Sequence, residues 1–315
     1  MPYAASLPET VGRPELEPVN DRWRSSIRHL AESSRATSAH GDPTAPLVAD
    51  FARYRVDPEE GFRLSDSDTT DTDDLTREQA RAELAGLTER IAGLQARLYA
   101  EEQRGVLVVL QGIDAAGKDS TVKHVFSGSN PQGVRVYTFK EPTDEEAAHD
   151  FLWRYHQDAP ARGMIHVFNR SHYEDVLVVR VKGLTEEARW RSRYDSINDF
   201  ERMLARERTV IVKFFLHISK DAQLDRFRER LERPDKHYKF SANDVRERRN
   251  WDAYQEAYED AVNFTSTPWA PWFVVPSDHK WYRNLVVARI LCTTLEAMNP
   301  EWPAADADLG DLDLA

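Results

Sequence analysis

Short apolar runs alternate with amphipathic stretches over the last two thirds of the chain. The runs are rich in β-branched and aromatic residues, which is typical of buried strands. They span residues 106–110, 134–139, 164–168, 210–218 and 272–275, and helical stretches such as 144–156, 185–207 and 221–233 separate them. This alternation predicts an α/β fold with a mostly parallel sheet flanked by helices, whose ligands bind at the carboxyl ends of the strands.

A long amphipathic helix is predicted before the first strand. Thr76 and Gln79 match the capping box that opens many helices. Apolar residues then recur at steps of four and three: Ala80, Leu84, Leu87, Ile91, Leu94 and Leu98. A single stripe of this length favours a helix packed on the main domain over a coiled-coil partner. We therefore predict an N-terminal extension, 46–104, followed by the main domain, 105–303.

Three polar segments are predicted to lie outside the core. Residues 1–45 are rich in Ala, Ser, Pro and charge, which favours a largely disordered tail over a short docking helix around Trp23 and Leu30. Residues 65–74 carry five aspartates and are interpreted as a solvated acidic linker. Residues 304–315 are interpreted in the same way, as an acidic tail.

Composition narrows the class of protein. With 41% hydrophobic residues, the 315-residue chain is able to bury a sizeable core, but no apolar run is long enough to cross a bilayer. Cys292 is the only cysteine, which excludes a disulfide scaffold. No secretion leader opens the sequence, so a cytoplasmic protein is predicted. The net charge of −12 argues against nucleic-acid binding, although a local basic cleft remains compatible with a small anion.

The clearest motif directly follows the first predicted strand. Residues 112–118 match the first part of G-x-x-x-x-G-K-[ST], in which the backbone N–H groups of a glycine-rich loop surround a phosphate. An ordinary strand–helix turn is the alternative, and the agreement of motif and context disfavours it. The candidate phosphate-binding residues of this loop are Gly112, Ala115, Ala116, Gly117, Lys118 and Asp119.

Asp119 departs from that motif, because it occupies the position of the Ser or Thr that normally contacts Mg²⁺. The hydroxyl is therefore missing from its usual place. Asp114, inside the loop, is predicted to bind Mg²⁺ instead, since this ion prefers hard oxygen ligands. The alternative is an aspartate that only stabilises the turn.

A second polar cluster, 169–175, follows the strand predicted at 164–168. Glu174 and Asp175 offer carboxylates that organise Mg²⁺, and Arg170 offers a cation that neutralises a transferring phosphoryl group. The residues alone do not decide between this interpretation and a surface loop with an internal Arg–Glu pair.

A stretch dense in cations, 224–249, is predicted to contain a lid around residues 234–250. Pro234 breaks the helix, so residues 235–243 are predicted to form a mobile loop that closes over phosphates. Arg233, Lys236 and Lys239 are the predicted phosphate contacts, and the other cations are interpreted as a solvated helix with internal ion pairs. Three aromatic residues that follow are predicted to pack in the core: Trp251, Tyr254 and Tyr258.

These motifs together resemble the polyphosphate kinase 2 family over about residues 46–303. The resemblance is carried by residues 112–119, 139–142, 149–154, 168–177, 265–272 and 278–285. It implies a P-loop kinase fold similar to that of thymidylate kinases, with a helical lid. It also implies reversible transfer of the terminal phosphoryl group of inorganic polyphosphate to AMP and/or ADP, with Mg²⁺ (Mn²⁺ as an alternative) and with a homo-oligomeric state.

The resemblance makes Asp114 a Mg²⁺-binding and catalytic residue, and Lys118 and Arg170 phosphate binders that act in catalysis. Our hypothesis places Arg180 beside them in a polyphosphate groove. It adds Asp175 as a catalytic residue, with Glu174 and Asp175 as further metal ligands. The acceptor nucleotide is predicted to contact Phe139, Lys140, Pro142, Asn169 and Glu174.

Asn169 also bears on the acceptor, because other subgroups of the family commonly carry Asp at that position. The Asn-Arg-Ser-His-Tyr-Glu-Asp version resembles the subgroup that phosphorylates both nucleoside mono- and diphosphates. Adenine nucleotides are the predicted acceptors, with guanine nucleotides as an alternative. Two rival functions remain, an ATP-dependent nucleoside monophosphate kinase and a non-catalytic phosphate-binding module.

Overall fold

A computed structural model describes residues 51–57 and 59–305 of the chain. These residues belong to one compact unit. The predicted tail at 1–45 and most of the predicted acidic tail, 306–315, lie outside the described residues.

The described residues build a five-stranded sheet in which every paired strand runs parallel to its neighbour. The strands are β1 (Gly105–Gln111), β2 (Val134–Thr138), β3 (Ile165–Asn169), β4 (Thr209–His217) and β5 (Trp272–Pro276). Their order is β2-β3-β1-β4-β5, so β1 lies in the centre between β3 and β4. β1, β3, β4 and β5 are buried along their whole length, whereas the edge strand β2 is half exposed. The mostly parallel sheet predicted from the apolar runs is confirmed, with boundaries shifted by one residue at most strands.

Helices cover the sheet and follow its strands. They are α1 (Arg77–Glu101), α2 (Lys118–Val125), α3 (Asp144–Ala148), α4 (Trp153–Gln157), α5 (Glu174–Val181), α6 (Glu187–Arg206), α7 (Lys220–Glu232), α8 (Ala242–Glu247), α9 (Trp251–Thr265) and α10 (Lys280–Met298). α1 packs on α10, α5 packs on α9, and α6 packs on β4. The stretch predicted as one helix at 144–156 forms α3 and α4 instead, because residues 149–152 leave the helical path.

Helix α1 begins as its sequence indicates. The Thr76 side chain accepts from the Gln79 backbone N–H, and the Gln79 side chain accepts in turn from the Thr76 N–H. Five of the six predicted stripe residues are buried, and Leu84 is partly buried against the same core. The helix therefore presents its apolar side to the protein interior.

The segment before α1 packs on the sheet and shares its core. Tyr54 and Val56 are buried, the Val56 N–H donates to the Trp272 carbonyl (3.0 Å), and the Val274 N–H donates to the Tyr54 carbonyl (2.7 Å). Because Val56 and Tyr54 bond to β5 on the side away from β4, they cover the outer edge of the sheet.

The acidic segment at 65–74 differs from the predicted solvated linker. Asp73 forms an ion pair with Arg53 (2.7 Å), Asp71 pairs with the same guanidinium, and the Thr69 hydroxyl donates to Asp278 (3.0 Å). Aspartates that appear unpaired along the sequence thus meet partners from distant parts of the chain.

A polar network is buried between β4, α6 and the loop that follows β3. The ammonium of Lys213 donates to Glu201 Oε2 (2.5 Å), to the Tyr173 hydroxyl (2.8 Å) and to the Thr265 carbonyl (2.7 Å). His172 Nε2 lies 3.1 Å from the other oxygen of Glu201. Burial alone would raise the pKa of Glu201, but Lys213 and His172 outweigh it and hold the pKa below its usual value. The network therefore joins β4, α6 and the loop after β3 through satisfied charges.

The predicted lid contains short helices where a loop was predicted, and its mobility stays a prediction. A 3₁₀ helix covers Pro234–Lys239, α8 follows, and a second 3₁₀ helix covers Arg248–Asn250. Ser241 and Asp244 form a reciprocal capping box at the start of α8, which stabilises that helix locally.

Among the described residues, no helix has the length and apolar character needed to cross a membrane.

Candidate active site

A glycine-rich loop joins the carboxyl end of β1 to the start of α2. Gly117 adopts a left-handed backbone conformation (φ 109°) that most side chains avoid. At Gly112, an added Cβ would approach the Leu216 carbonyl oxygen to 3.0 Å. The backbone conformation therefore requires glycine at position 117, and the lack of space requires it at position 112.

Lys118 begins α2, and its side chain is buried beneath the loop. Its ammonium donates to the Gly112 carbonyl at 2.5 Å, and it forms no ion pair with any carboxylate of the described residues. Burial and the nearby Arg170 together lower the pKa of Lys118 to about 8, although the charges of Asp114, Glu174 and Asp119 oppose them. A buried ammonium without an acidic partner is ready to accept the negative charge of a ligand.

Arg170 lies between two carboxylates at the carboxyl end of β3. Its guanidinium contacts Asp114 Oδ1 at 2.7 Å and Glu174 Oε2 at 3.2 Å. The negative charge of Glu174 raises the pKa of Arg170, so the guanidinium stays charged. The residue has a left-handed backbone (φ 64°), and its N–H donates to the Leu110 carbonyl at 3.1 Å. The predicted second cluster is thus brought against the phosphate loop by the pairing of β1 with β3.

A cavity open to solvent lies between the loop and the region of α8 and α9. Asp114, Arg170 and Glu174 line one side, and Arg248 and Tyr254 line the other. Tyr254 donates to Glu247 at 2.9 Å. The aromatic residues predicted to be core, Trp251, Tyr254 and Tyr258, therefore also form a wall of this cavity.

Asp119 links three parts of the site. One oxygen accepts from the Asn169 amide (2.8 Å), and the other accepts from the ammonium of Lys239 in the lid (3.2 Å). Burial opposes ionisation, but these two hydrogen bonds outweigh it and lower the pKa of Asp119. The residue that replaces the usual Ser or Thr is thus an ionised carboxylate that connects the loop, β3 and the lid.

Asp175 does not line the cavity with Asp114 and Glu174. Its carboxylate accepts from the Tyr155 hydroxyl (3.2 Å) and pairs with Arg193 (3.1 Å). Burial raises its pKa to about 6, although Arg193 opposes this effect. The helical turn that follows Tyr173 directs neighbouring carboxylates to different sides, which sequence adjacency does not reveal.

Three of the cations predicted to bind phosphate have carboxylate partners away from the loop. Arg180 pairs with Asp260 (2.5 Å), Arg233 pairs with Asp235 (2.8 Å), and Lys236 pairs with Glu229 (2.7 Å). Lys239 is the predicted lid cation that reaches a loop residue, through Asp119.

Three of the five residues predicted to contact the nucleotide lie after the end of β2, one strand beyond β3, whereas Asn169 ends β3. Phe139 is buried, with ring centroids 4.6 Å from Tyr155 and 4.9 Å from Phe168. Lys140 and Pro142 are exposed, and the Lys140 carbonyl accepts from Arg154 at 3.1 Å. These residues do not line the cavity described above, whereas Glu174, also predicted as a nucleotide contact, does.

Sequence reasoning missed several residues that hold the loop from behind, namely Gln223, Arg226 and Arg283. Arg226 was assigned to the solvated cations of its helix. A signal for it exists in hindsight, because it lies three residues after Gln223 on the same helical face and directly before the apolar Phe227. Arg283 has an apolar helical neighbourhood that favours burial, but nothing in the sequence shows what it contacts.

The donor set of the site fits Mg²⁺ held mainly by substrate. Among the described residues, no group of three or more His, Cys, Asp and Glu side chains is arranged to bind a metal alone. Mg²⁺ in phosphoryl-transfer sites commonly uses one or two carboxylates plus phosphate oxygens and water. Asp114 and Glu174 provide two such carboxylates on the cavity wall.

A parallel sheet whose central strand enters a glycine-rich loop, with a buried lysine at the start of the next helix, defines the P-loop kinase fold. The polyphosphate kinase 2 (PPK2) family model matches residues 74–303. The chain therefore belongs to the polyphosphate kinase 2 family.

Two curated relatives and one solved structure show how closely the chain follows that family. An AMP/ADP-polyphosphate phosphotransferase from Meiothermus ruber is 53% identical over 253 residues, which cover 80% of this chain and 95% of the relative. An ADP-polyphosphate phosphotransferase from Rhodopseudomonas palustris is 46% identical over 227 residues, covering 68% and 78%. The crystal structure of polyphosphate kinase 2 from Arthrobacter aurescens TC1 aligns with a TM-score of 0.77 and 43% identity, covering 82% of this chain and 95% of that one.

Proposed function

We propose that this protein transfers the terminal phosphoryl group of inorganic polyphosphate to AMP and to ADP, in a reversible reaction. The observation that carries this proposal is the 53% identity to an AMP/ADP-polyphosphate phosphotransferase along 95% of that protein's length. The phosphate loop supports it, because its buried Lys118 forms no ion pair among the described residues and a chain of phosphates supplies a direct anionic partner.

The chemistry needs positioning and charge neutralisation more than a base, since a nucleotide phosphate oxygen is already anionic. Lys118 neutralises charge on the phosphates beneath the loop. Arg170, at the mouth of the cavity, stabilises the charge that spreads over the phosphoryl group in flight. When phosphate binds, Arg170 exchanges part of its pairing with Asp114 and Glu174 for the substrate.

Mg²⁺ is the proposed cofactor, with Mn²⁺ as an alternative, and Asp114 with Glu174 would hold it. The ion supplies Lewis-acid neutralisation of phosphate oxygens. The Asp114→Asn variant is expected to lose about 100-fold in turnover, in line with the loss of one charged group from a phosphoryl-transfer site. Its melting temperature is expected to stay near that of the wild type, because Asp114 is partly exposed and buries no apolar surface. Steady-state rates at varied Mg²⁺ measure this effect. Unchanged turnover in Asp114→Asn would contradict the proposed role of Asp114.

The proposed path of polyphosphate runs from the loop toward Lys239. The ammonium of Lys239 contacts Asp119 at 3.2 Å, so an incoming phosphate competes with that carboxylate for the same cation. Three further points stay predictions. They are the contact of the acceptor nucleotide with Phe139, Lys140 and Pro142, the use of guanine nucleotides, and the homo-oligomeric state.

One incubation tests the function. Purified protein receives Mg²⁺ and long-chain polyphosphate, with AMP or ADP supplied separately, and anion-exchange chromatography resolves the products. We expect ATP from ADP, and ADP followed by ATP from AMP. Product from one acceptor alone would correct the acceptor range. Turnover with ATP and AMP, but none with polyphosphate, would replace the proposal by an ATP-dependent nucleoside monophosphate kinase.

A further inference from the structure

Three buried side chains grip the phosphate loop from the side of α7 and α10. Gln223 donates to the Asp114 carbonyl at 2.9 Å. Arg226 donates to the carbonyls of Ala115 (2.7 Å) and Ala116 (2.9 Å). Arg283 donates to the same Ala116 carbonyl at 2.9 Å. Three consecutive carbonyl oxygens of the loop are therefore held on one side.

Holding the carbonyls also determines where the loop N–H groups point. A trans peptide unit is planar, and its C=O and N–H bonds point in opposite directions. The Ala115 N–H consequently faces away from Gln223, and the Gly117 N–H faces away from Arg226 and Arg283. Between them, the Ala116 N–H donates to the Ile113 carbonyl at 3.0 Å. A peptide that flipped would turn a carbonyl oxygen toward a bound phosphate, where two negative charges repel, and the flexible Gly117 offers little resistance of its own.

The two guanidinium groups lie at no ion-pair distance from a carboxylate of the described residues, although the charges of Asp278 and Glu229 act on Arg226 from farther away. Their other acceptors are the Ser277 and Asp278 carbonyls and the Asn284 amide oxygen. Burial lowers the pKa of Arg226 to about 10 and, with the help of Arg226, that of Arg283 to about 9, so both stay positive at neutral pH. Buried charges are normally paired, and here the unpaired positive charge lies directly behind an anion-binding loop.

Gly117 and Arg283 are also matched in space. A Cβ added at Gly117 would lie 1.9 Å from the Arg283 Nη1 atom. The guanidinium occupies the volume that any side chain at position 117 would need, so the second glycine of the motif leaves room for this cation.

We propose that Arg226 and Arg283 are positioning residues for the phosphate donor, which hold the loop N–H groups toward it and add positive potential from behind. This inference rests on the proposed function, because it concerns the same phosphate-binding loop. The two arginines act through the loop backbone and touch no substrate themselves.

The test uses variants that alter the hydrogen bonds from these side chains to the loop carbonyls. Arg283→Lys and Arg226→Lys retain the charge but lose the forked donor geometry of guanidinium. Gln223→Leu removes a neutral donor to the same loop. Leu291→Ala, farther along α10, is the matched control, because it creates a cavity in the core without touching the loop. Binding of inorganic tripolyphosphate is measured by calorimetry with Mg²⁺ present, and the KM values for polyphosphate and ADP are measured separately.

Each Arg→Lys variant is expected to bind tripolyphosphate about 10-fold more weakly, and Gln223→Leu about 3-fold more weakly, as hydrogen bonds to the loop are lost. The KM for polyphosphate is expected to rise by the same factors while the KM for ADP stays within twofold of the wild type. Leu291→Ala is expected to melt at a lower temperature with an unchanged dissociation constant.

The outcomes separate the two proposals. A wild-type protein that binds no tripolyphosphate would end the proposed function. A wild-type protein that binds it, with unchanged affinity in every folded variant of Gln223, Arg226 and Arg283, would overturn the positioning role. If neither Arg→Lys variant folds, Arg226→Gln and Arg283→Gln decide, because glutamine keeps a neutral donor near the loop carbonyls. Gln223→Leu does not decide alone, since Gln223 lines the cavity and accepts from Arg248 at 2.8 Å.

Discussion

Two buried lysines, Lys118 and Lys213, place the same charge in two regions with opposite surroundings. Lys213, in β4, donates to a carboxylate, a hydroxyl and a carbonyl. Lys118, below the phosphate loop, donates to the Gly112 carbonyl and meets no carboxylate at ion-pair distance among the described residues. Burial lowers the pKa of both side chains, so burial alone does not distinguish them.

The partners decide what each lysine does. The core region satisfies its cation internally, and its network binds β4, α6 and the loop after β3 to one another. The loop region leaves its cation to be satisfied by a ligand, and the nearby Arg226 and Arg283 are unpaired in the same way. The comparison predicts that substitutions in the first region cost stability, whereas those in the second cost activity.

The largest expected effect is on turnover in Lys118→Met. Removing the loop cation is expected to lower kcat/KM for polyphosphate at least about 1,000-fold, because a charged donor at the transferring phosphates is lost. Stability to urea is expected to stay equal or increase, since an unpaired buried charge disappears. Initial rates of ATP formation from ADP and an equilibrium urea curve measure the two quantities. Near-normal turnover of Lys118→Met would contradict the inference that the loop region serves activity.

The next effect is on folding in Lys213→Met. Removing one partner of a buried ion pair leaves Glu201 uncompensated and is expected to lower the free energy of unfolding by about 3–5 kcal/mol. The double variant Lys213→Met, Glu201→Gln is the control, and it should recover part of that loss because no buried charge remains. Urea denaturation measures both. A decrease in the free energy of unfolding below about 1 kcal/mol would show that the Lys213–Glu201 pair contributes no more than an exposed salt bridge.

A smaller effect concerns the pH dependence of activity, which only the lysine of the loop region is expected to control. The pKa of Lys118 is about 8 in the folded chain and 10.5 without burial, so the free enzyme loses this cation as pH rises through about 8. kcat/KM for polyphosphate is expected to fall about tenfold per pH unit above that point. Between about pH 8 and 10.5 the unfolded chain binds the extra proton, so the contribution of Lys118 makes the free energy of unfolding rise with pH.

Lys118→Met provides the control for this pH dependence. The variant should lose the Lys118 part of the rise in stability, and the difference between the two curves isolates that residue from Lys213 and the tyrosines. A wild-type profile of kcat/KM that stays flat to pH 10 would contradict the lowered pKa.

The smallest expected effect is at the rim of the loop region, in Lys239→Ala. This lysine is partly exposed, so its loss is expected to raise the KM for polyphosphate only about threefold. The KM for ADP should not change. Lys236→Ala is the matched control, because that lysine pairs with Glu229 in the same lid segment. Equal effects of the two substitutions, or equal effects on both substrates, would remove the specific role of Lys239.

The strands, the first helix and the phosphate loop were predictable because their signals are local. A buried strand needs only a short run such as 106–110, and the α1 start needs only Thr76 and Gln79. The loop needs its own glycines and Lys118. Each of these elements is encoded within one continuous segment, so no knowledge of the register between distant segments was required.

The remaining features depend on contacts between segments far apart in sequence. The pairing of Asp119 with Asn169 follows from the parallel register of β1 and β3. The burial of Arg226 follows from the packing of α7 behind the loop, whereas its sequence neighbourhood is rich in charge and indicates solvent. Asp73 was assigned to a solvated linker for the same reason, since Arg53 and Arg289 reach it from elsewhere. Side-chain direction within a helical turn separated Asp175 from Glu174.

The strip at Tyr54–Val56 has a consequence for how short the chain can be made. It contributes nothing to the phosphate loop, and residues 74–303 would retain every site residue discussed above. Without the strip, however, the outer edge of β5 would offer unpaired backbone groups beside the buried residues Phe273 and Val275. Exposed apolar edge strands pair with other chains. A chain trimmed to residues 74–303 is therefore expected to keep its chemistry but to aggregate through the uncovered edge of β5.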